Sequence, residues 1–142
     1  MRYVKNTERD YPQILNNYER MPEGLYIIGS FPDPGRRSVA IVGARSCSEY
    51  GRRTAREFGR VLACAGVQVI SGMALGIDSC AHEGALEAGG QTFAVLGSGA
   101  DVCYPASKIM IYRKIIRSGG IISEFEPGTP AVDWHFPIRN RI

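Results

Sequence analysis

No apolar run in the sequence is long enough to cross a bilayer, and no apolar stretch near its start resembles a secretory signal. A membrane-spanning helix is therefore excluded, and a cytoplasmic location without membrane partners is expected. Cysteine is sparse and scattered. Cys47, Cys64, Cys80 and Cys103 form no C-x-x-C pair and show no zinc-ligand spacing, so neither a disulfide framework nor a metal site is expected. They read as small, reduced, partly buried thiols. Charge of one sign is also scarce, the formal net charge being +3. That balance permits an anionic partner without demanding one, so any nucleic-acid argument rests on where the arginines sit. Internal repeats and low-complexity tracts are absent too.

What is present is one domain's worth of chain. Its 142 residues are 44% apolar and 22% charged, enough for a core that needs no cross-link. From Ser38 onward, short apolar runs alternate with longer amphipathic stretches. Val39 to Gly43 is continuously apolar and suits a strand buried on both faces. A helix is predicted after the Ser48 N-cap, with Tyr50, Ala55, Phe58, Val61, Leu62 and Ala65 on its apolar stripe and Gly66 closing it. Gly51 and Gly59 count slightly against that helix. Val67 to Ser71 is a second strand, and Ile77 to Ala88 a second helix ended by Gly89-Gly90. Thr92 to Leu96 is a third strand. Between Ser107 and Ser118 a third helix carries Ile109, Tyr112, Ile115 and Ile116, and Ile121 to Ser123 follows as a fourth strand.

Such alternation means βαβ units: a three-layer, doubly wound α/β fold with a mostly parallel, Rossmann-like sheet and helices on both faces. Right-handed crossovers place every strand's carboxyl end on one edge. Residues 1–38 read as an N-terminal extension packing on the 39–142 core, with a short helix near Tyr11-Pro12 and Leu15 and a strand over Leu25 to Ile28. Phe31 to Arg37 is a turn-rich connector. The stretch Phe125 to Ile142 supplies no predicted helix to cover the last strand, so the core is expected to be incomplete at its C-terminal end.

Ligands of open α/β sheets bind at the carboxyl ends of the strands. Here those ends are Gly43-Ala44-Arg45-Ser46, Ser71 to Gly76, Gly97-Ser98-Gly99-Ala100-Asp101 and Ser123-Glu124. Glycines and small polar residues let a ligand approach the backbone and leave amides free to cradle an anion, and Arg45 adds a full charge. In any single loop, glycine simply making a tight turn is the simpler reading. Four such loops on one edge with an arginine point to phosphate. The dinucleotide fingerprint is missing: Ala44-Arg45 follows Gly43, and Gly97-Ser98-Gly99 lacks a third glycine. No G-K-[ST] is present either, so a P-loop hydrolase is not indicated.

Basic and aromatic residues surround this edge. Arg52, Arg53, Arg56 and Arg60 fall on the first helix, and Lys108, Arg113, Lys114 and Arg117 on the third. Arg139 and Arg141 lie near the end, and Tyr50, Tyr104, Trp134 and Phe136 lie in or beside the loops. Cations that track a backbone, with aromatic faces for bases, describe a groove for single-stranded DNA. A solvated charged face accounts equally for the helix arginines taken singly, and Trp134 and Phe136 would also suit a core.

Read in order, these segments resemble the DNA-processing protein A (DprA/Smf) family. The matching stretches are Tyr11-Pro12, Leu25-Tyr26 with Gly29, VAIVGAR at 39–45, Ser48-Glu49-Tyr50-Gly51, SGMALGID at 71–78 and AHEGAL at 81–86. GGQTFAVLGSGADVCYP at 89–105, IISE at 121–124 and FPIRNRI at 136–142 complete the set. The resemblance implies an extended Rossmann-like core that binds single-stranded DNA without sequence preference and helps load a RecA-family recombinase during natural transformation. It implies a homodimer in the full-length protein, with the self-association surface beyond Ile142. It assigns the phosphate pocket to Gly43, Arg45, Ser48, the Ser71-Gly72 loop, Gly97, Ser98 and Gly99, and the Phe136, Arg139 and Asn140 segment. Tyr50 and Lys108 join as neighbouring aromatic and cation. Ala44 stands where serine is frequent, and Lys108 where asparagine is common. No cofactor is implied.

Two enzyme readings compete. Ser71, Asp78 and His82 suggest a hydrolase, but no G-x-S-x-G elbow presents the serine. Asp78 is better suited to holding loop amides, and His82 to a backbone carbonyl. The alternative is a Rossmann-like nucleotide-binding or nucleotide-cleaving enzyme with Glu124 as its acid, although Gly89-Gly90-Gln91-Thr92 is too short for that glycine loop. A scaffold acting only through partners is the remaining reading.

Overall fold

The computed structural model describes residues 1–142. Its strands are β1 (Arg2–Lys5), β2 (Gly24–Gly29), β3 (Ser38–Ala40), β4 (Gln68–Ser71), β5 (Thr92–Val95) and β6 (Gly120–Ser123). The helices are α1 (Glu49–Cys64), α2 (Ile77–Glu87), α3 (Ile109–Ser118) and the short α4 (His135–Arg139). A 3-10 turn at Gln13–Asn17 stands where a short helix is expected. The six strands form one sheet in the order β1-β2-β6-β5-β4-β3. The four from β3 to β6 are parallel, while β2 pairs antiparallel with both β6 and β1. The first 38 residues thus extend the sheet itself by two strands.

The mostly parallel α/β class is the expected one, but the winding in this chain is one-sided. Strands β3 to β6 follow one another across the sheet without reversing, so right-handed crossovers put α1, α2 and α3 on a single face. There Ala94 and Ile121 meet Tyr112 and Ile115, and Val69 meets Ala63, Ala81 and Ala85. The opposite face, carrying Ile27, Phe93, Val95 and Ile122, is covered by Tyr11, Leu15, Phe31 and Ile142.

Two expectations about burial are corrected. Strand β3 is only three residues long and is exposed, not buried on both faces. It lies at the sheet edge, pairs with β4 alone, and leaves Val39 39% and Val42 71% exposed. Helix α1 is capped by Ser48, whose Oγ accepts the Gly51 amide, and is followed by Gly66 at φ +76° as expected. Its buried stripe, however, is Ala55, Gly59 and Ala63, while Tyr50, Phe58 and Val61 face outward. The reason is backbone proximity to α2. A Cβ on Gly59 would overlap the Ala81 carbonyl, and one on Gly84 the Arg56 carbonyl. Small residues at four-residue spacing let the two helices touch, which a search for large apolar side chains overlooks.

Candidate nucleic-acid interface

At the carboxyl edge of the sheet, one carboxylate ties the first two loops together. Asp78, in the first turn of α2, accepts the Gly43 amide at 3.3 Å and the Gly72 amide at 3.1 Å. Gly76 precedes that helix at φ +80°, and a Cβ there would overlap the Ala44 and Arg45 carbonyls. Glycine is required because the two loops press together at this point. Arg139, the buried last residue of α4, donates to the Gly72 carbonyl at 3.1 Å and to the Val95 carbonyl. Burial pulls its pKa below the ordinary value, the Asp78 carboxylate opposes that, and Arg45 adds to it. Starting so high, the guanidinium keeps its charge.

The loops over β5 and β6 are closed. Every residue from Thr92 to Ala100 is buried. Ser71 Oγ donates to the Ile41 carbonyl at 2.6 Å, and Ser98 Oγ to Val102 at 3.0 Å. Ser123 Oγ donates to the Ser98 carbonyl at 2.6 Å. The Gly99 amide donates to Thr129 at 2.9 Å, and the Gly97 carbonyl meets His135 Nδ1 at 3.0 Å. The expectation of freely presented amides is therefore corrected at Gly43, Gly72 and Gly99, whose N–H groups already have partners. The segment from Glu124 to Phe136 folds back over the glycine loop and takes up its hydrogen-bonding capacity, as buried polar groups require.

The open part of the edge is built around Arg45. Its guanidinium carbon lies 4.4 Å from the centroid of the Phe136 ring, and it makes no ion pair. The Tyr104 ring stands 5.9 Å from Phe136, centroid to centroid. Arg45, Gly72, Leu75, Tyr104 and Phe136 line a small cavity of about 50 Å³. Arg45 and Leu75 also line a larger cleft of about 360 Å³ between α1, the start of α2 and Lys108. Of the thirteen site residues predicted from sequence, these cavities gather Arg45, Gly72, Lys108 and Phe136. Ser48 caps α1. Tyr50 is exposed but lines neither cavity, and exposed Asn140 accepts the Arg139 Nε–H at 3.1 Å. Ser71, Gly97, Ser98, Gly99 and Arg139 lie beneath the surface, and Gly43 lies outside both cavities.

The hydrolase trio does not assemble. Ser71 is bound to Ile41, and Asp78 to loop amides as expected. His82 is fully buried, and its Nδ1 meets Thr92 Oγ1 at 2.6 Å, a side-chain hydroxyl where a backbone carbonyl is expected. Because Thr92 donates its own proton to the Val69 carbonyl, Nδ1 must carry the hydrogen, leaving Nε2 unpartnered. Burial alone lowers the His82 pKa to about 3, so the ring stays neutral. Burial also pushes the Cys80 and Cys103 thiols up, which weakens them as nucleophiles. Glu124 is paired with Arg141, its carboxyl raised by burial against that cation's pull, and it lines neither cavity. No group of three metal-ligating side chains occurs, and no helix is long and apolar enough to cross a membrane.

The family model for DNA recombination-mediator protein A matches residues 2–142, nearly the whole chain. The chain belongs to that family. Protein Smf of Synechocystis is 34% identical over 99% of this chain and 36% of its own length. DNA processing protein DprA of Streptococcus pneumoniae is 37% identical over 93% of this chain and 46% of its own length. The solved structure of DNA processing protein A (DprA) from Streptococcus pneumoniae superposes with a TM-score of 0.86, at 32% identity, over 99% of this chain and 49% of that one. DNA processing protein A of Helicobacter pylori, solved for its single-stranded DNA binding mode, gives 0.83 at 28% identity over 99% of this chain and 63% of its own. The chain spans roughly a third to a half of the length of the curated relatives named here.

The residues missed by sequence reasoning are instructive. Asp78 is not among them: expected to hold loop amides, it ties two loops of this edge together. Leu75 and Glu83 are: they lie within SGMALGID and AHEGAL, yet only the fold shows that they wall the larger cleft.

Proposed function

We propose that this chain is the single-stranded-DNA-binding unit of a DNA-processing protein, holding the strand through its backbone without sequence preference. It is a binder, not an enzyme, and it acts in the cytoplasm during DNA uptake in natural transformation. There it protects incoming DNA and helps load a RecA-family recombinase, and the longer protein self-associates as a homodimer. The observation that carries this reading is Arg45: exposed, free of any carboxylate, and spread over Phe136 at the junction of two cavities. A planar guanidinium fits phosphate oxygens, and the adjoining Tyr104 and Phe136 rings offer faces to bases. Single-strand binding by the Helicobacter pylori relative supports the same assignment.

The test is fluorescence anisotropy of labelled oligo-dT against wild type and Arg45→Ala at low and moderate salt, with a duplex and a mononucleotide as competitors. Losing one phosphate contact should weaken binding and lower the salt slope by about 0.7 for a single strand. A folded wild type that ignores oligo-dT but binds the mononucleotide would overturn this reading in favour of a nucleotide enzyme.

A further inference from the structure

The larger cleft carries the whole charge excess of the molecule. Its ten lining residues include five cations, Arg45, Arg52, Arg53, Arg56 and Lys108, against the two carboxylates Glu49 and Glu83. The complete chain has 17 cations and 14 acids, so everything outside the cleft is balanced at twelve of each. The cations also divide into two kinds. Arg56 is held by Glu87 and Lys108 by Glu83 at 3.3 Å, which fixes the inner wall. Arg45, Arg52 and Arg53 have no ion-pair partner. Glu49, Arg52, Arg53 and Arg56 recur at three- and four-residue spacing, so they form one face of α1, apart from the Ala55, Gly59 and Ala63 stripe against α2.

The lining also limits what can enter. Only Leu75 and Cys80 are apolar, and no aromatic ring is present, so the cleft offers nothing for a base to stack on. The Tyr104 and Phe136 rings stand next door, in the small cavity that shares Arg45 and Leu75. A cationic cleft without aromatics beside an aromatic cavity with one arginine suits a chain of phosphates continuing past its first anchor.

We propose that this cleft is a second phosphate subsite, in which Arg52 and Arg53 take the phosphodiester next to the one held by Arg45. The strand then runs from the Phe136 cavity along α1. This inference rests on the single-strand reading above and adds the direction of the strand and two residues to it. It also resolves the ambiguity of the α1 arginines, two of which form a ligand wall and not a generic solvated face.

The experiment measures oligonucleotides of two lengths, dT4 and dT12, across a salt series. The variants are Arg52→Ala with Arg53→Ala, Glu49→Gln and Arg45→Ala. Lys5→Ala with Arg9→Ala serves as a charge-matched control, with Lys5 on the opposite sheet edge. The double arginine variant should weaken dT12 about tenfold, lower its salt slope, and weaken dT4 distinctly less. Glu49→Gln removes a carboxylate from the cleft and should tighten dT12 about threefold, a gain that misfolding cannot imitate. Loss from the double variant no greater than from the Lys5 and Arg9 control, while Arg45→Ala still abolishes binding, overturns the second subsite and spares the first. An equal loss at both lengths overturns the succession of two subsites. A folded wild type that binds neither oligonucleotide overturns the primary reading and this one with it.

Discussion

The two halves of the strand-end edge treat their polar groups in opposite ways. Over β5 and β6 they turn inward: Ser98, Ser123, Gly97, Gly99 and Arg139 are buried and hydrogen-bonded within the protein. Beside β3 they turn outward, with Arg45, Arg52 and Arg53 free of carboxylate partners. The same glycine-and-small-residue loops serve both halves, so loop composition does not reveal which half meets a ligand. What differs is the segment from Glu124 to Arg139, which takes up the hydrogen bonds of the glycine loop but leaves Arg45 only the face of the Phe136 ring. The inward half should therefore affect stability and the outward half affinity, and each substitution below tests that division.

The largest effect is expected at Arg139. Truncating it to alanine removes the donors to the Gly72 and Val95 carbonyls and deprives the buried Asp78 carboxylate of its nearby positive charge. Breaking a buried charged network in this way costs about 3 to 5 kcal/mol. Urea denaturation of Arg139→Ala should show it as a large drop in midpoint. A shift no greater than that of the exposed Arg9→Ala would show that Arg139 is not a structural residue.

Acid should act next, through the interior beneath the same loops. His82 has a folded pKa of about 3 against an ordinary 6.5, a depressed value caused by burial. Below the ordinary value the unfolded chain takes up a proton that the folded chain refuses. Stability is thus full above that pH and falls as pH drops toward 3. The loss should reach about 2 kcal/mol by pH 5. His82→Gln should flatten the pH dependence of the denaturation midpoint, and an unchanged slope would remove His82 as its source.

These inward-turned groups are also where sequence reading stopped. The βα alternation was legible because apolar β-branched runs are punctuated by Gly66, Gly89 and Gly119, and the helices end at those points. Strand β1 was not, since Arg2-Tyr3-Val4-Lys5 has no pattern of its own and is made a strand by pairing with β2. The exposure of β3 was illegible for a related reason: apolar character reports what could be buried, not whether anything lies on top. In the site, Arg45 could be found from its place after a strand end. The resemblance places Arg139 there too, but its burial was not legible, because Arg139-Asn140-Arg141 reads as a basic tail until the chain folds back and buries its first member.

A smaller effect belongs to the rim of the outward half. Ser48→Ala removes the oxygen that accepts the Gly51 amide at 3.1 Å and leaves the first turn of α1 uncapped. The expected cost is about 1 kcal/mol. Because that turn leads into the Arg52 and Arg53 face, the variant should also lose some oligonucleotide affinity at moderate salt. Replacement by Asp, an equally good cap, should restore stability. Failure of Asp to do so would mean that Ser48 contributes something other than its cap.

The smallest stability effect, and the sharpest test of the division, is at Arg45. Its guanidinium is exposed and is held by the Phe136 ring at 4.4 Å, with no carboxylate behind it. An exposed cation–π contact contributes about 0.5 to 1 kcal/mol, so Arg45→Ala should move the denaturation midpoint barely more than Arg9→Ala does. Removing it even eases the repulsion that Arg45 exerts on the buried Arg139 guanidinium, which offsets part of that small loss. The same variant should lose most of its oligo-dT binding. Stability retained with affinity lost would place Arg45 outside the architecture and inside the interface. If instead Arg45→Ala unfolded the chain as readily as Arg139→Ala, the two halves of the edge would form one structural unit, and the contrast between them would fail.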